Sequence, residues 1–188
     1  MEEKHLIFIS ALLAEVSMAF YVILIFSFFG NLGGMGLLES LLTGSVLMFI
    51  IPNIAVYYFY RSIELSKVKT EERYKFYLTV IACYLAAFLV FNYFSNTLLA
   101  KVVLSYFLIF LILFVINFRW RISLHAAGIG AASMILFLNN FVIPALIFFA
   151  LTPFVYWLKM SLRSHGIYQM LTGSIVSFIV SYAVFVLL

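Results

Sequence analysis

Long apolar runs separated by short breaks are the feature that most constrains this chain. Each run is almost free of charged residues, and most approach the roughly 20 residues that a helix needs to cross a bilayer. Because lipid does not tolerate open strands or irregular backbone, each run is expected to be a helix. The sequence therefore predicts an all-α, polytopic transmembrane helix bundle. The runs are Leu6–Phe29, Leu37–Tyr60, Phe76–Phe94, Leu98–Phe118, Ile122–Leu138, Phe141–Leu158 and Ile167–Leu188.

Two of these runs leave the number of spans open between six and seven. Ile122–Leu138 and Phe141–Leu158 are short, and Asn139-Asn140 between them predicts either a tight turn or a kink inside one longer element. Pro and Gly are few and scattered, at 3 and 9 residues, so no linker divides the chain. We therefore expect residues 1–188 to form a single transmembrane domain.

The positive charges predict an orientation. The breaks after the second, fourth and sixth runs are basic, whereas the other breaks carry no charge. With seven spans, the basic breaks and the N-terminus share one side, which holds every Lys and Arg except Lys101. The positive-inside rule makes that side cytoplasmic. The expected location is therefore multi-pass in a membrane, and the cell membrane is favoured.

Composition excludes several classes of function. The chain is 10% charged and has no basic-aromatic motif, so we expect membrane lipid as a partner and no nucleic acid. Its single Cys83 excludes a disulfide framework and a Cys-based zinc site. Acidic residues stop at Glu72 and there is no Asp, so the second half has no carboxylate-rich metal site and no Ser-His-Asp triad. We expect neither a metal nor another cofactor.

Two histidines at the edges of apolar runs carry the chemistry that remains. In the first segment, Arg121 and Ser123 precede His125, and small residues follow it at 126–130. Ser123 can cap a helix start, where free backbone N–H groups favour an anion, and the small residues allow a neighbouring helix to approach closely. Two imidazoles with several cations suit a phosphate, because the cations neutralise its oxygens while one His attacks phosphorus and the other protonates the leaving oxygen.

The second segment spans residues 159–173 and contains Lys159, Arg163, His165 and Gln169. His165 and Gln169 are four residues apart, so they share a face of a helix. The Gln169 amide oxygen is then expected to accept from the His165 ring N–H and to fix its tautomer. Snorkelling membrane anchors are the alternative interpretation of Lys159 and Arg163.

Together these segments resemble two signature motifs of the type 2 phosphatidic acid phosphatase (PAP2) superfamily. One motif is Pro-Ser-Gly-His, written in a membrane branch as Trp-Lys-Ile-Ser-x-His before small residues, and residues 120–128 resemble the latter form. The other is Ser-Arg, five residues, His, three residues and Asp, where this chain has Lys159, His165 and Gln169. Gly173 matches a glycine that follows Gln in the same branch. A further motif, Lys with Arg-Pro about seven residues later, is poorly matched by the stretch from Lys67 to Arg73.

The resemblance implies a PAP2-like core and a role for each matched residue. His165 would be the nucleophile that forms a phosphohistidine, His125 the general acid, and Gln169 the residue that orients His165. Gln169 replaces a carboxylate, which puts the rate in doubt. The residues that would bind phosphate are Arg121, Ser123, Lys159, Arg163, Lys69 and Arg73.

The expected function is therefore that of a metal-independent lipid-phosphate phosphatase. A polyprenyl (dolichyl- or undecaprenyl-type) diphosphate is the favoured substrate, because the chain has almost no extramembrane headgroup-binding part. Phosphatidate and phosphatidylglycerophosphate are the alternative substrates. Two different functions also fit the sequence: a lipid or ion transporter in which Glu15, a carboxyl within an apolar run, couples to protons, and an inactive PAP2-like membrane subunit.

Overall fold

Every regular element in the described part of the chain is a helix. The computed structural model describes residues 3–60 and 73–188, with side chains at 5–59 and 73–188. The prediction of an all-α fold is therefore confirmed over these ranges. The helices are α1 (Glu3–Leu12), α2 (Glu15–Phe29), α3 (Leu37–Gly44), α4 (Ile51–Tyr60), α5 (Tyr74–Tyr93), α6 (Thr97–Asn117), α7 (Leu124–Leu138), α8 (Val142–Ser161) and α9 (Ile167–Leu187), with a π-helical segment, Ser45–Ile50, between α3 and α4.

Of the predicted six or seven spans, six agrees with the described part of the structure if the first two helices count as one span, and seven does not. Within the described ranges five helices are long and apolar enough to cross a membrane, and the pair α1–α2 makes six if it counts as one span. That pair is bent by 46°, so the predicted run Leu6–Phe29 is two helices and not one. α7 has 15 residues and falls short of the roughly 20 that a span needs. By contrast α8, which was expected to be short, has 20 residues.

Apolar side chains cover the outer faces of the long helices. α6 is the most apolar of these helices, with a mean hydropathy of 2.7 over its most apolar 18 residues, yet only 50% of that stretch is buried. In α8 the buried share of the corresponding stretch is 28%. Large side chains such as Phe29, Ile143 and Ile179 are exposed. Water disfavours so extensive an apolar surface, whereas lipid tails do not. The fold is that of a multi-pass membrane protein.

The second predicted run forms one continuous span with a widened turn. Helices α3 and α4 and the π segment together make the span Leu37–Phe59. In the wide turn the N–H of Ile51 donates to the carbonyl of Val46, five residues back. Pro52 follows directly, and its ring would clash with the carbonyl of residue 48 in a regular α-helix. We attribute the π turn to this proline.

Three helices end in the same type of turn without using glycine. After α5, α7 and α8 a residue adopts a left-handed conformation, and the N–H of the next residue bonds a carbonyl five residues back, as in a Schellman motif. Asn tolerates this conformation best. Asn140 therefore makes a tight turn between α7 and α8, and a kink inside one longer helix is excluded. The left-handed residues are Ser95, Asn140 and Arg163, with φ of 55°, 65° and 49°.

Small residues let α7 occupy the centre of the bundle. α7 packs most extensively against α9 and α8, and also against α2 and α6. A Cβ added to Gly128 would lie 2.6 Å from the Cα of Glu15, and one added to Gly130 would collide with Ser177 Oγ. The prediction that the small residues after His125 allow close helix approach is confirmed. Most residues of α7 are buried among these helices, and Phe137 near its end is exposed.

Candidate active site

One cavity brings together four of the residues that the sequence singled out. Its volume is about 320 Å³, and it lies where the α1–α2 break, α4, the end of α8, the connection that follows α8 and the starts of α5 and α7 meet. His125, His165, Lys159 and Arg73 all line it. These four came from three separate segments of the sequence, since Lys159 and His165 belong to one motif, so the convergence of the three segments is an independent observation. It also places described residues at or beside the three basic connections, Arg73, Ile122 and His165, at one end of the bundle, as the predicted topology requires.

His125 is anchored to α1 from the first turn of α7. Ser123 is the N-cap of α7, as predicted, and its Oγ accepts a hydrogen bond of 3.4 Å from the N–H of Ala126. The ring nitrogen Nε2 of His125 lies 3.1 Å from the carbonyl oxygen of Ser10 and 3.2 Å from the Ser10 Oγ. Contacts with α1 therefore fix the orientation of this ring.

Lys159 is buried in the last turn of α8. Only 1% of the residue is exposed, and its Nζ donates a hydrogen bond of 2.7 Å to Ser10 Oγ. A snorkelling anchor would hold its ammonium at the surface, so that interpretation does not fit Lys159. Its position also favours a cation, because the carbonyl end of a helix carries partial negative charge.

His165 lies in the connection between α8 and α9. Neither of its ring nitrogens forms a hydrogen bond of ordinary geometry with the described residues. Burial, followed by the charges of Lys159, Arg121 and Arg73, lowers the pKa of His165 from 6.5 to about 3, while the backbone carbonyl of Ile122 opposes the shift. The ring is therefore neutral at physiological pH, and one nitrogen keeps a lone pair that can attack an electrophile.

Two arginines add positive charge around this histidine. Arg73 directly precedes α5, lines the cavity and is 2% exposed. Arg121 precedes α7 and is close enough to His165 to lower its pKa. The role of both arginines in binding phosphate stays a prediction. Lys67 and Lys69, the other candidates from the same connection as Arg73, lie outside the described residues.

Three predicted site residues lie differently from what the sequence suggested. The Gln169 Oε1 accepts a hydrogen bond of 3.0 Å from the N–H of Gly166 and does not reach His165. Gly166 is the N-cap of α9 and has no side chain to cap with, so Gln169 satisfies a free N–H at that helix end. Arg163 is exposed and lies outside the cavity lining, because it occupies the left-handed turn after α8. Ser123 is buried behind the lining.

Sequence reasoning missed Ser10 and gave Glu15 no place in this site. Ser10 lines the cavity and contacts both His125 and Lys159, yet it is an ordinary serine in an apolar run, with no pattern around it. Glu15 also lines the cavity, is 2% exposed, and accepts a hydrogen bond of 2.9 Å from the hydroxyl of Tyr84. A carboxyl within an apolar run is the sequence signal from which a position of Glu15 in a buried site could have been predicted.

Among the described residues no group of three or more His, Cys, Asp or Glu side chains could hold a metal ion. The charged part of the cavity is instead cationic, apart from Glu15. In comparisons with known proteins, no family model, no curated protein and no solved structure matches this chain. Its function has to be argued from the cavity itself.

Proposed function

We propose that this protein is an integral membrane phosphatase of the PAP2 type that hydrolyses a lipid phosphate without a metal. One observation carries the proposal: two histidines, a buried lysine and a buried arginine from distant parts of the chain line a single cavity. This set supplies a nucleophile, a proton donor and fixed positive charge, which phosphoryl transfer requires.

The reaction would proceed in two displacements. In the first, the lone pair of neutral His165 forms a P–N bond as the bond from phosphorus to the lipid oxygen breaks, and His125 gives a proton to that oxygen. Burial, followed by Lys159 and His165, lowers the pKa of His125, so His125 would take up this proton once the phosphate anion has offset the nearby cations. In the second, water attacks phosphorus, His125 takes a proton from the water, and the P–N bond breaks to release phosphate and His165. Each histidine ends the cycle in its starting state.

The cations have a specific task in this scheme. Arg73 and Lys159 lie in the cavity, and Arg121 acts on His165 from nearby, so three like charges surround a small volume. A dianionic phosphate would relieve their repulsion, and it would bind more tightly as negative charge develops on the leaving oxygen. The pKa of His165 is lowered first by burial and then by this same set of cations.

The rest of the lining is suited to the lipid part of a substrate. Apolar side chains from α1, α2, α4 and α5 form the remaining walls, among them Ile7, Val16, Val56 and Phe76. We favour a polyprenyl diphosphate, because the described chain folds almost entirely into the bundle and offers little surface for a glycerol headgroup. Phosphatidate and phosphatidylglycerophosphate remain the substrates to compare.

Phosphate release tests the proposal directly. Detergent-purified protein is given a polyprenyl diphosphate, phosphatidate or phosphatidylglycerophosphate in EDTA, and compared with His165→Ala and His125→Ala. The matched control is His5→Ala, because His5 is the third histidine of the chain and is exposed, outside the cavity. We expect loss of about 10²–10⁴-fold in His125→Ala and at least as much in His165→Ala, with the control unchanged.

Two results would count against a phosphatase. Release that survives His165→Ala would exclude the phosphohistidine route. No release from folded wild-type protein on any of the three lipids would favour an inactive relative. Gln169 stands where the resemblance has a carboxylate and bonds the N–H of Gly166 instead of His165, so slow turnover is expected.

One observation favours a second candidate, a proton-coupled lipid or ion transporter. Glu15 is a buried carboxyl in the same cavity, and carboxyls inside membrane bundles often mark ion pathways. A transporter would depend on Glu15 more than on either histidine. Glu15→Gln should therefore abolish transport in vesicles if the protein is a transporter, and it should leave lipid-phosphate hydrolysis measurable if the protein is a phosphatase.

A further inference from the structure

The break between α1 and α2 exposes a backbone carbonyl at the cavity. In a continuous helix the carbonyl of Ser10 would accept from the N–H of Ala14, but here that N–H bonds the carbonyl of Ala11. The Ser10 carbonyl is thus released from helical bonding, and it accepts from His125 Nε2 at 3.1 Å. The break supplies a hydrogen-bond acceptor that a regular helix would have kept for itself.

Other side chains stabilise the broken geometry. Ser17 Oγ donates a hydrogen bond of 3.1 Å to the carbonyl of Ala11, and the Tyr21 hydroxyl donates one of 3.2 Å to the carbonyl of Leu12. Both donors lie in the first two turns of α2. The freed carbonyls at the end of α1 therefore all have partners, and the bend is a built feature of the fold.

The carbonyl of Ser10 selects one tautomer of His125. A carbonyl oxygen can only accept, so at this distance Nε2 of His125 must carry a hydrogen. In the neutral ring the lone pair then lies on Nδ1. When the ring is protonated, Nε2–H stays with Ser10 and Nδ1–H is the proton that can be given away.

The hydroxyl of Ser10 also contacts the neighbouring cation. Its Oγ accepts from Lys159 Nζ at 2.7 Å and lies 3.2 Å from His125 Nε2, and Ser10 is 4% exposed. One residue thus links the proposed general acid to a proposed phosphate-binding ammonium. A carboxylate orients the histidine in many hydrolases, but the described residues offer His125 a main-chain oxygen instead.

We propose that Ser10 is a positioning residue: it holds His125 as the Nε2–H tautomer, so that Nδ1 faces the substrate, and it holds Lys159 beside it. This inference rests on the proposed function for its catalytic consequence. The tautomer itself does not, because it follows from the fold and needs no turnover.

The first test is the ¹⁵N spectrum of histidine-labelled protein in detergent, with the His125 signals assigned by comparison with His125→Asn. Three histidines make the spectrum simple. Above the pKa of the ring, we expect a protonated Nε2 and an unprotonated Nδ1. An Nδ1–H tautomer, or an even mixture of both forms, would overturn the role of Ser10 whether or not the protein is an enzyme.

The second test uses leaving groups of different basicity. Ser10→Ala removes the hydroxyl but keeps the carbonyl, so we expect hydrolysis of an alkyl phosphate to fall about 10-fold, a fraction of the 10²–10⁴-fold that a general acid supplies. Hydrolysis of 4-nitrophenyl phosphate, whose leaving group needs no proton, should change little. Ser10→Thr keeps the hydroxyl and should restore most of the alkyl phosphate activity.

The matched control is Ser133→Ala, since Ser133 is a buried serine of α7 that bonds only the carbonyl of Ile129 and lies outside the cavity lining. An equal loss on both substrates in Ser10→Ala, or no loss on either, would overturn the positioning role. Wild-type protein that hydrolyses neither substrate would overturn the proposed function, and the tautomer would still decide whether Ser10 orients His125.

Discussion

The proposed nucleophile should stay neutral at a pH where an ordinary histidine is charged. The pKa of His165 is lowered from 6.5 to about 3, first by burial and then by nearby cations. With an ordinary pKa, only about 3% of the rings would be neutral at pH 5, against about 76% at pH 7. With a pKa of about 3, about 99% are neutral at pH 5. The difference at pH 5 is roughly 30-fold in available nucleophile.

An NMR titration of the His165 ring measures this directly and needs no substrate. We expect no protonation of His165 between pH 8 and pH 4.5 in detergent. In Lys159→Gln the pKa should rise, because Lys159 is the first of the charges that lower it, but it should stay below 6.5, because burial remains. Arg163→Gln is the control: Arg163 is two residues from His165 but exposed, so the pKa should not move.

The same shift predicts how stability depends on pH. The unfolded chain binds a proton at His165 near pH 6.5 and the folded chain only near pH 3, so stability is fully present above 6.5 and falls as the pH drops towards 3. At pH 5 the loss is at most about 2 kcal/mol, less an allowance for the partial exposure of the ring. A His165 midpoint between 6 and 7 would refute both the neutral nucleophile and this linkage.

Two further predictions concern packing and can be followed by thermal unfolding, with the exposure of the chain's single buried cysteine as the signal. Gly128→Ala places a Cβ 2.6 Å from the Glu15 backbone and should cost about 1–3 kcal/mol, whereas Gly166→Ala, with nothing within 4 Å, should cost little; equal effects would refute the close packing. Tyr84→Phe leaves the buried Glu15 carboxyl without this donor and should cost about 1–3 kcal/mol, and an unchanged unfolding temperature would show that the bond contributes nothing.

The spans could be predicted because lipid imposes one simple requirement. A helix that faces lipid tails must be apolar over a fixed length, and that pattern is visible in a single sequence. The described α5, α6 and α9 begin and end within about three residues of the predicted runs. α7 differs because most of its residues are buried among other helices, so its length need not match the thickness of a bilayer.

The site could be predicted in part for two reasons. Local motifs identify candidate residues, and the topology predicts which of them share one end of the bundle. His125, His165 and Lys159 all lie at basic breaks, and alternate breaks of a helical bundle share one end. The role of Gln169 was predicted wrongly because a sequence cannot show which donor an amide oxygen will bond: the N–H of Gly166, at the start of the same helix, donates to it at 3.0 Å.

The break at Leu13 and Ala14 could not be predicted, because both residues favour helix and neither is a turn former. The bend is stabilised by side chains that come later in the sequence. His125 of α7 donates to the carbonyl of Ser10, and Ser17 and Tyr21 of α2 donate to the carbonyls of residues 11 and 12. The bond from His125 joins residues 115 positions apart and exists only once the bundle has formed. The orientation of His125 and the bend of α1 against α2 are therefore mutually dependent, so a variant that straightens α1–α2 should also release the His125 ring. Such a variant would lose the Nε2–H tautomer without any change in the cavity's own side chains.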